Sequence, residues 1–216
     1  MCLSPEVDIA AAIVTGTVAV DTLRRNHNPD ARLLASIPAI FAFHNVVSAL
    51  MWWGLLGKIS DSIAGPATWI YEFIAFVLWP IYVPLAVRKM ETNSTRISLI
   101  TGVLVLGLIN SSWHMWRLVS GDIAAHAHDM YIRFNYPPDP TVIGAFYIIA
   151  TCGVTMFSSH KELVYWGIAN AFVVVVLGLW TANGLPSIWC WYAAITSVYL
   201  NVFIRRHDRQ RRQLAD

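Results

Sequence analysis

Residues 67–89 read ATWIYEFIAFVLWPIYVPLAVRK, an apolar stretch with one formally charged side chain, Glu72, before it closes on Arg88 and Lys89. An α-helix rises about 1.5 Å per residue and a bilayer's hydrocarbon core is about 30 Å thick, so about 20 such residues cross it. Working outward, six further runs of this kind occur, at 7–23, 33–55, 97–116, 142–157, 163–180 and 188–204. Backbone groups cannot go unpaired in lipid, and these runs lack the polar and apolar alternation of a barrel strand, so each is expected to be a helix. The chain therefore reads as all-α: a bundle of seven transmembrane helices forming a single integral membrane domain over 1–216.

Charge orients the bundle. Twelve of the fifteen Lys and Arg residues fall on one side: Arg24, Arg25, Arg32, Arg88, Lys89, Arg96, Lys161, Arg205, Arg206, Arg209, Arg211 and Arg212. Lys58, Arg117 and Arg133 fall on the other. Basic loops stay in the cytoplasm, which puts the N-terminus outside and the C-terminus inside. The chain is 56% hydrophobic and 13% charged, against about 25% charged in soluble domains. Beside a membrane helix, Arg205, Arg206, Arg209, Arg211 and Arg212 are expected to meet anionic headgroups, and nucleic acid is not an expected partner. No basic n-region precedes the first run, so that run itself is expected to direct insertion. Ser4, Pro5 and Glu6 supply a capping oxygen, a proline where no amide hydrogen is needed, and an acid at the positive end of the helix dipole. The longest connection, 117–140, reads as an outer-side loop of the length lids have.

The third and seventh runs open alike, Pro66-x-x-Trp69 and Pro186-x-x-Trp189, each after a Gly-Leu pair, at Gly54 and Gly184. A parallel duplication, three helices plus one plus three, would explain this. Its topology resembles the SWEET and PQ-loop transporters, although their Pro-Gln motif is absent here.

Polar groups inside lipid are costly and mark candidate sites. Glu72 lies about a turn and a half into its helix, His114 near the outer end of the fourth run, and His44 near the middle of the second, beside Asn45 and Ser48. Eight of ten tryptophans, Trp69, Trp113 and Trp189 among them, fall in the outer half. A belt of anchors would occupy both interfaces, so this asymmetry suggests an outward-facing aromatic pocket with a polar base. Glu72, His44, His114, Asn45, Trp69, Trp113 and Trp189 are its candidate ligand-binding residues. Glu72, read as the one carboxylate well inside a helix, needs a partner there, and His114 and Arg117 are the bases at its level. Cys2, His114, Cys190, His126 and His128 form a candidate zinc or copper set at the outer rim, although their spacing is not diagnostic. A Cys2–Cys190 disulfide is the competing reading in an oxidising compartment. A retinal Schiff base is not expected, because every lysine is in a loop. No nucleophile elbow or ordered Ser-His-Asp triad supports nucleophilic catalysis.

The opening Met1-Cys2-x-Ser4 with Glu6, Ser36-Ile-Pro38 leading to His44, Trp79-Pro80 through Pro84 to Val87, and Ser187-x-Trp189-Cys190 together resemble an uncharacterised family of bacterial multi-pass membrane proteins. The resemblance implies a bacterial cytoplasmic membrane and singles out Cys2, His44, Trp189 and Cys190. In that family a Gln and then, a turn later, a Glu usually follow the histidine, where this chain has Asn45 and Ser48. Three functions compete: a protein binding or transporting a small or lipidic ligand, with Pro38, Pro80 and Pro84 as breaks that serve as hinges or sites; a membrane metalloenzyme of His44, His114 and Glu72, loosely similar to the ceramidase-like hydrolases; and an accessory subunit of a larger membrane complex.

Overall fold

The computed structural model describes residues 4–121, 124–128, 131–135, 140–180 and 185–213, with the backbone alone at 124, 135, 180, 185–191, 193–194 and 211–212. Its helices are α1 (Pro5–Arg25), α2 (Arg32–Leu55), α3 (Asp61–Glu72), α4 (Trp79–Met90), α5 (Ser94–Ser120), α6 (Thr141–Thr151), α7 (Lys161–Trp180) and α8 (Leu185–Gln213). A π-helical segment, Phe73–Leu78, joins α3 and α4 into one rod, so the described residues form seven helical rods. Four of them, Pro29–Leu55, Asp61–Met90, Ser94–Ser120 and Lys161–Leu179, are long and apolar enough to cross a membrane.

The way α1 distributes its residues supports a lipid surround. Its buried positions are Pro5, Asp8, Ala12, Thr15, Ala19 and Thr22, a small and polar stripe at helical spacing, while Ile13 and Val14 are 66% and 61% exposed. A soluble helix buries the opposite face. Small residues let two backbones approach in lipid, where apolar side chains gain nothing by leaving the tails. α2 lies against this stripe and also meets α3, α4 and α8, so it is the central helix. Its core partners include Leu34, Ile37 and Phe41, with Phe41 stacked on Trp79 at 4.3 Å.

Two local features depart from regular helix. The fifth run, the shortest in the sequence, becomes α6 followed by a 3-10 segment, Gly153–Phe157. The tighter winding rises about 2.0 Å per residue, so eleven α and five 3-10 residues reach about 27 Å. Thr155 Oγ1 closes the joint by donating to the Cys152 carbonyl at 2.8 Å. α7 packs directly on it through Gly167, where any Cβ would collide with the Thr155 hydroxyl.

The second departure is in 117–140, expected as loop. Arg117–Ser120 continue α5, and beyond them the described strands form an antiparallel hairpin, β1 (Ala124–His128) with β2 (Tyr131–Asn135), in register Ala125↔Phe134, His126↔Arg133 and His128↔Tyr131. Alternation along a strand sends Ile132 and Phe134 to one face, and both are fully buried. His126, His128 and Arg133 are exposed.

At the end carrying most of the basic residues, Glu91 ties the α4–α5 turn to the start of α7. Its carboxylate accepts from the amides of Thr92 (3.0 Å), Asn93 (3.1 Å) and Ser159 (2.7 Å) and from the Ser159 hydroxyl (2.8 Å). Burial works against its charged form, but these donors outweigh it and hold the carboxyl below the usual range. Arg96 donates beside it to the carbonyls of Phe157 and Ser158, each at 2.9 Å.

Candidate functional site

Proline placement creates the break in the α3–α4 rod. Pro80 has no amide hydrogen for the Phe76 carbonyl, and in a regular helix its ring would press on that carbonyl. The backbone widens instead, with Trp79 N–H bonding to the Ile74 carbonyl five residues back. Carbonyls along the break are then met by side chains from other helices. Asn110 Nδ2 donates to Phe76 O at 3.2 Å, Ser111 Oγ to Val77 O at 2.7 Å, and Tyr147 Oη to Ala75 O at 2.7 Å. His44 Nε2 lies 3.2 Å from Tyr71 O, which makes that nitrogen the protonated one in a hydrogen bond to a carbonyl. This is an ordinary interhelical histidine bond, from α2 to α3. Gly107 brings α5 close enough for these bonds, since its Cα faces the Pro80 carbonyl with no room for a Cβ.

Rings line the side of this break that faces the hairpin. His44 and Tyr71 lie 4.3 Å apart, Tyr71 stacks on Phe134 at 5.5 Å, and Phe76 meets Phe134 edge-on at 6.5 Å. Phe76 also stacks on His114 at 5.3 Å and tilts against Tyr147 at 6.3 Å. The hairpin is thus seated with Phe134 between the rings of α3 and the π segment. Aromatic pairs of this kind are worth about 0.5–1.5 kcal/mol each beyond burial.

Glu72 sits where α3 gives way to the π segment, 3% exposed, and its Oε1 is buried without a hydrogen-bond partner among the described residues. The pairing with His114 or Arg117 expected from the sequence is not formed as a hydrogen bond or ion pair between described atoms. His114 Nδ1 instead lies 3.0 Å from the Asn110 carbonyl of its own helix, and both His114 and Arg117 are buried. A second carboxylate shares the interior. Asp8, in the first turn of α1, is fully buried and its Oδ2 accepts from Ser48 Oγ at 2.6 Å, so Glu72 is not the one buried acid. Asn45, next to His44, has a buried Nδ2 with no partner among the described residues, and so has Trp52 at Nε1.

Of the expected residues, Glu72 is buried at the break itself, and His44 and Asn45 on α2 and His114 on α5 are buried on helices packed against that rod. Trp69 is 40% exposed and stacks on Phe73 at 5.5 Å, while Trp113 leans on the exposed Trp116 at 5.3 Å. The aromatic wall is therefore Tyr71, Phe76, Phe134 and Tyr147, rings that the tryptophan count passed over. The alternation Tyr131-Ile132-Arg133-Phe134 was the signal for the hairpin. Asp8, two residues into its run, was the signal for the second acid. Among the described residues no three His, Cys, Asp or Glu side chains gather as a metal site. His126 and His128 are exposed on the hairpin, with His128 stacked on Tyr131 at 4.5 Å. Cys2 and the side chains of Trp189 and Cys190 lie outside the described residues.

The pattern of one protein family matches residues 1–215, nearly the whole chain. The chain belongs to a family of unknown function, DUF6629. That membership agrees with the resemblance to an uncharacterised family. No curated protein and no solved structure matches the chain.

Proposed function

We propose that this DUF6629 member is a multi-pass membrane protein that binds, and moves across the bilayer, a small ligand bearing an N–H or O–H donor. The site is the outer half of the bundle, at the α3–α4 break. The orphaned Oε1 of the buried Glu72 carries this reading, because an acceptor left unmet in lipid costs several kcal/mol unless a ligand or proton meets it. Asn45 Nδ2 and Trp52 Nε1 offer donors on the neighbouring α2. The π segment is the irregular backbone that membrane proteins tolerate beside protein-lined sites, and π-bulges recur at functional positions. The hairpin is the closing element over that site. Seven spans with the N-terminus outside, in a bacterial cytoplasmic membrane, complete the proposal, on the strength of the charge asymmetry and the resemblance.

The test uses full-length protein purified from membranes. Native mass spectrometry reads any co-purified small molecule, and a melting-temperature panel uses ethanolamine, choline, short alkylamines and glycerol. Wild type should hold a ligand or shift with one class, and Glu72→Gln should lose that response while keeping its own melting temperature within a few degrees. An unchanged response in Glu72→Gln would remove Glu72 from the site.

The full burial of Ile132 and Phe134 favours one alternative, an accessory subunit whose closed bundle never opens. That reading expects a partner protein to co-purify in fixed ratio and no member of the panel to shift the melting temperature.

A further inference from the structure

At the opposite end of the molecule from the hairpin, the last turn of α1 and the C-terminal half of α8 enclose a cleft of about 260 Å³ lined by Arg24, Arg25, His27, Arg205, Asp208 and Arg209. Its walls are fastened together by bonds spanning nearly the whole sequence. Asn201 Nδ2 donates to Asp21 Oδ2 at 2.8 Å and contacts Thr22 Oγ1 at 2.7 Å, and the His27 amide donates to Asp208 Oδ1 at 3.2 Å. These bonds hold the cations in place whether or not anything lies between them.

Both acids near the cleft are already engaged. Asp21 accepts from Arg25 Nε at 2.5 Å and has Arg205 Nε at 3.5 Å, while the ring of His27 sits 3.4 Å from Asp208 Oδ2. Arg24 and Arg209 form no ion pair among the described residues. Four guanidinium groups against two carboxylates leave an excess of two positive charges, before any charge on His27. A phosphate monoester carries about −1.5 to −2 at neutral pH and accepts several charge-assisted bonds, for which the guanidinium fork is the matching donor. The volume is just below that of drug-sized sites, about 300–1,000 Å³, which suits a headgroup-sized anion.

We infer that this cleft is a binding site for a phosphate-monoester anion, a reading independent of the Glu72 site. The anion has two sources. Val20, Leu23 and Val202 are exposed on the same two helices, the surface an acyl chain would follow from a lipid phosphate, and a soluble phosphate compound would use the cleft alone.

The full-length chain is titrated in phosphatidylcholine nanodiscs containing phosphatidic acid, a monoester, or phosphatidylglycerol, a diester, at matched surface charge. In parallel, detergent-purified protein is titrated with inorganic phosphate against chloride at constant ionic strength. Wild type should prefer phosphatidic acid to phosphatidylglycerol, or bind inorganic phosphate. The Arg24→Gln/Arg209→Gln variant should lose about tenfold or more of that preference, while Arg88→Gln, an arginine bonded to Thr101 outside the cleft, should not. Preference for phosphatidic acid without phosphate binding assigns the lipid source, and phosphate binding assigns the soluble one. Equal binding of both lipids with no response to phosphate, or an equal loss in Arg88→Gln, overturns the inference, because non-specific charge attraction then accounts for the data.

Discussion

Replacing Gly107 with alanine should loosen the contact that holds the broken helix together. A Cβ there would collide with the Pro80 carbonyl oxygen and lie 2.9 Å from its carbonyl carbon, a backbone group that cannot rotate aside. That carbonyl faces α5 with no intrahelical donor, since Pro84 is the residue four positions on. Forcing extra volume into such a contact costs about 1–3 kcal/mol. As α5 retreats, the bonds from Asn110 to Phe76 O and from Ser111 to Val77 O weaken one turn further along. Interhelical bonds in membranes average about 0.6 kcal/mol, so the gross cost is about 2–4 kcal/mol. Alanine regains about 1 kcal/mol of helix propensity over glycine, leaving a net loss of about 1–3 kcal/mol. Gly102 is the internal control, exposed on the same helix with nothing within 4 Å of where its Cβ would stand. Gly102→Ala should be neutral or stabilising by up to about 1 kcal/mol. Both variants are compared with wild type in one detergent by tryptophan fluorescence during thermal unfolding at fixed scan rate, because such unfolding is often irreversible. A Gly107→Ala protein as stable as Gly102→Ala would refute the close approach of α5 to Pro80.

Glu91→Gln should lower the melting temperature at neutral pH and flatten its acid limb. The native pKa of Glu91 lies below the usual 4.5, so its stabilisation is present above that value and is lost as pH falls through the native pKa; a wild-type limb matching the variant's would exclude this role. Phe134→Ala withdraws the ring between Tyr71 and Phe76 and should speed amide exchange across 124–135 while α2 and α5 keep their protection; unchanged hairpin exchange would mean that the ring does not seat it. For topology, a reporter fused after Asp216 should read cytoplasmic and Lys58→Cys should label from outside, and reversal of either result would sink the orientation.

Apolar character is a property each segment carries in its own composition, and for that reason the helical rods were legible run by run. The basic residues closing those runs were legible too, as charge segregated at helix ends, although their partners in the chain, such as the Phe157 and Ser158 carbonyls that Arg96 meets, were not. Pro80 likewise announced a break, because a missing amide hydrogen acts on its own helix, whereas Pro38 and Pro84, also expected as breaks, sit inside the continuous helices α2 and α4. Which groups would meet the freed carbonyls was another matter. Asn110, Ser111 and Tyr147 do so from 34 and 72 residues away, and nothing local distinguishes them from other polar residues on their helices. The same holds for Ser48 against Asp8, 40 residues apart, and for Glu91 against Ser159, 68 apart. No direct bond joins Glu72 to His114 or Arg117 among the described residues, because shared depth puts two groups at one level, whereas helix rotation and ring packing decide whether they face each other. Sequence by itself determined that the chain builds apolar helices with charge segregated at their ends. Tertiary structure alone decided that Phe134 fills the aromatic wall, that Glu72 keeps an oxygen unmet among the described residues, and that the arginines of α1 and α8 share one cleft, because hydrogen bonds and ring contacts depend on distances set only once the helices pack.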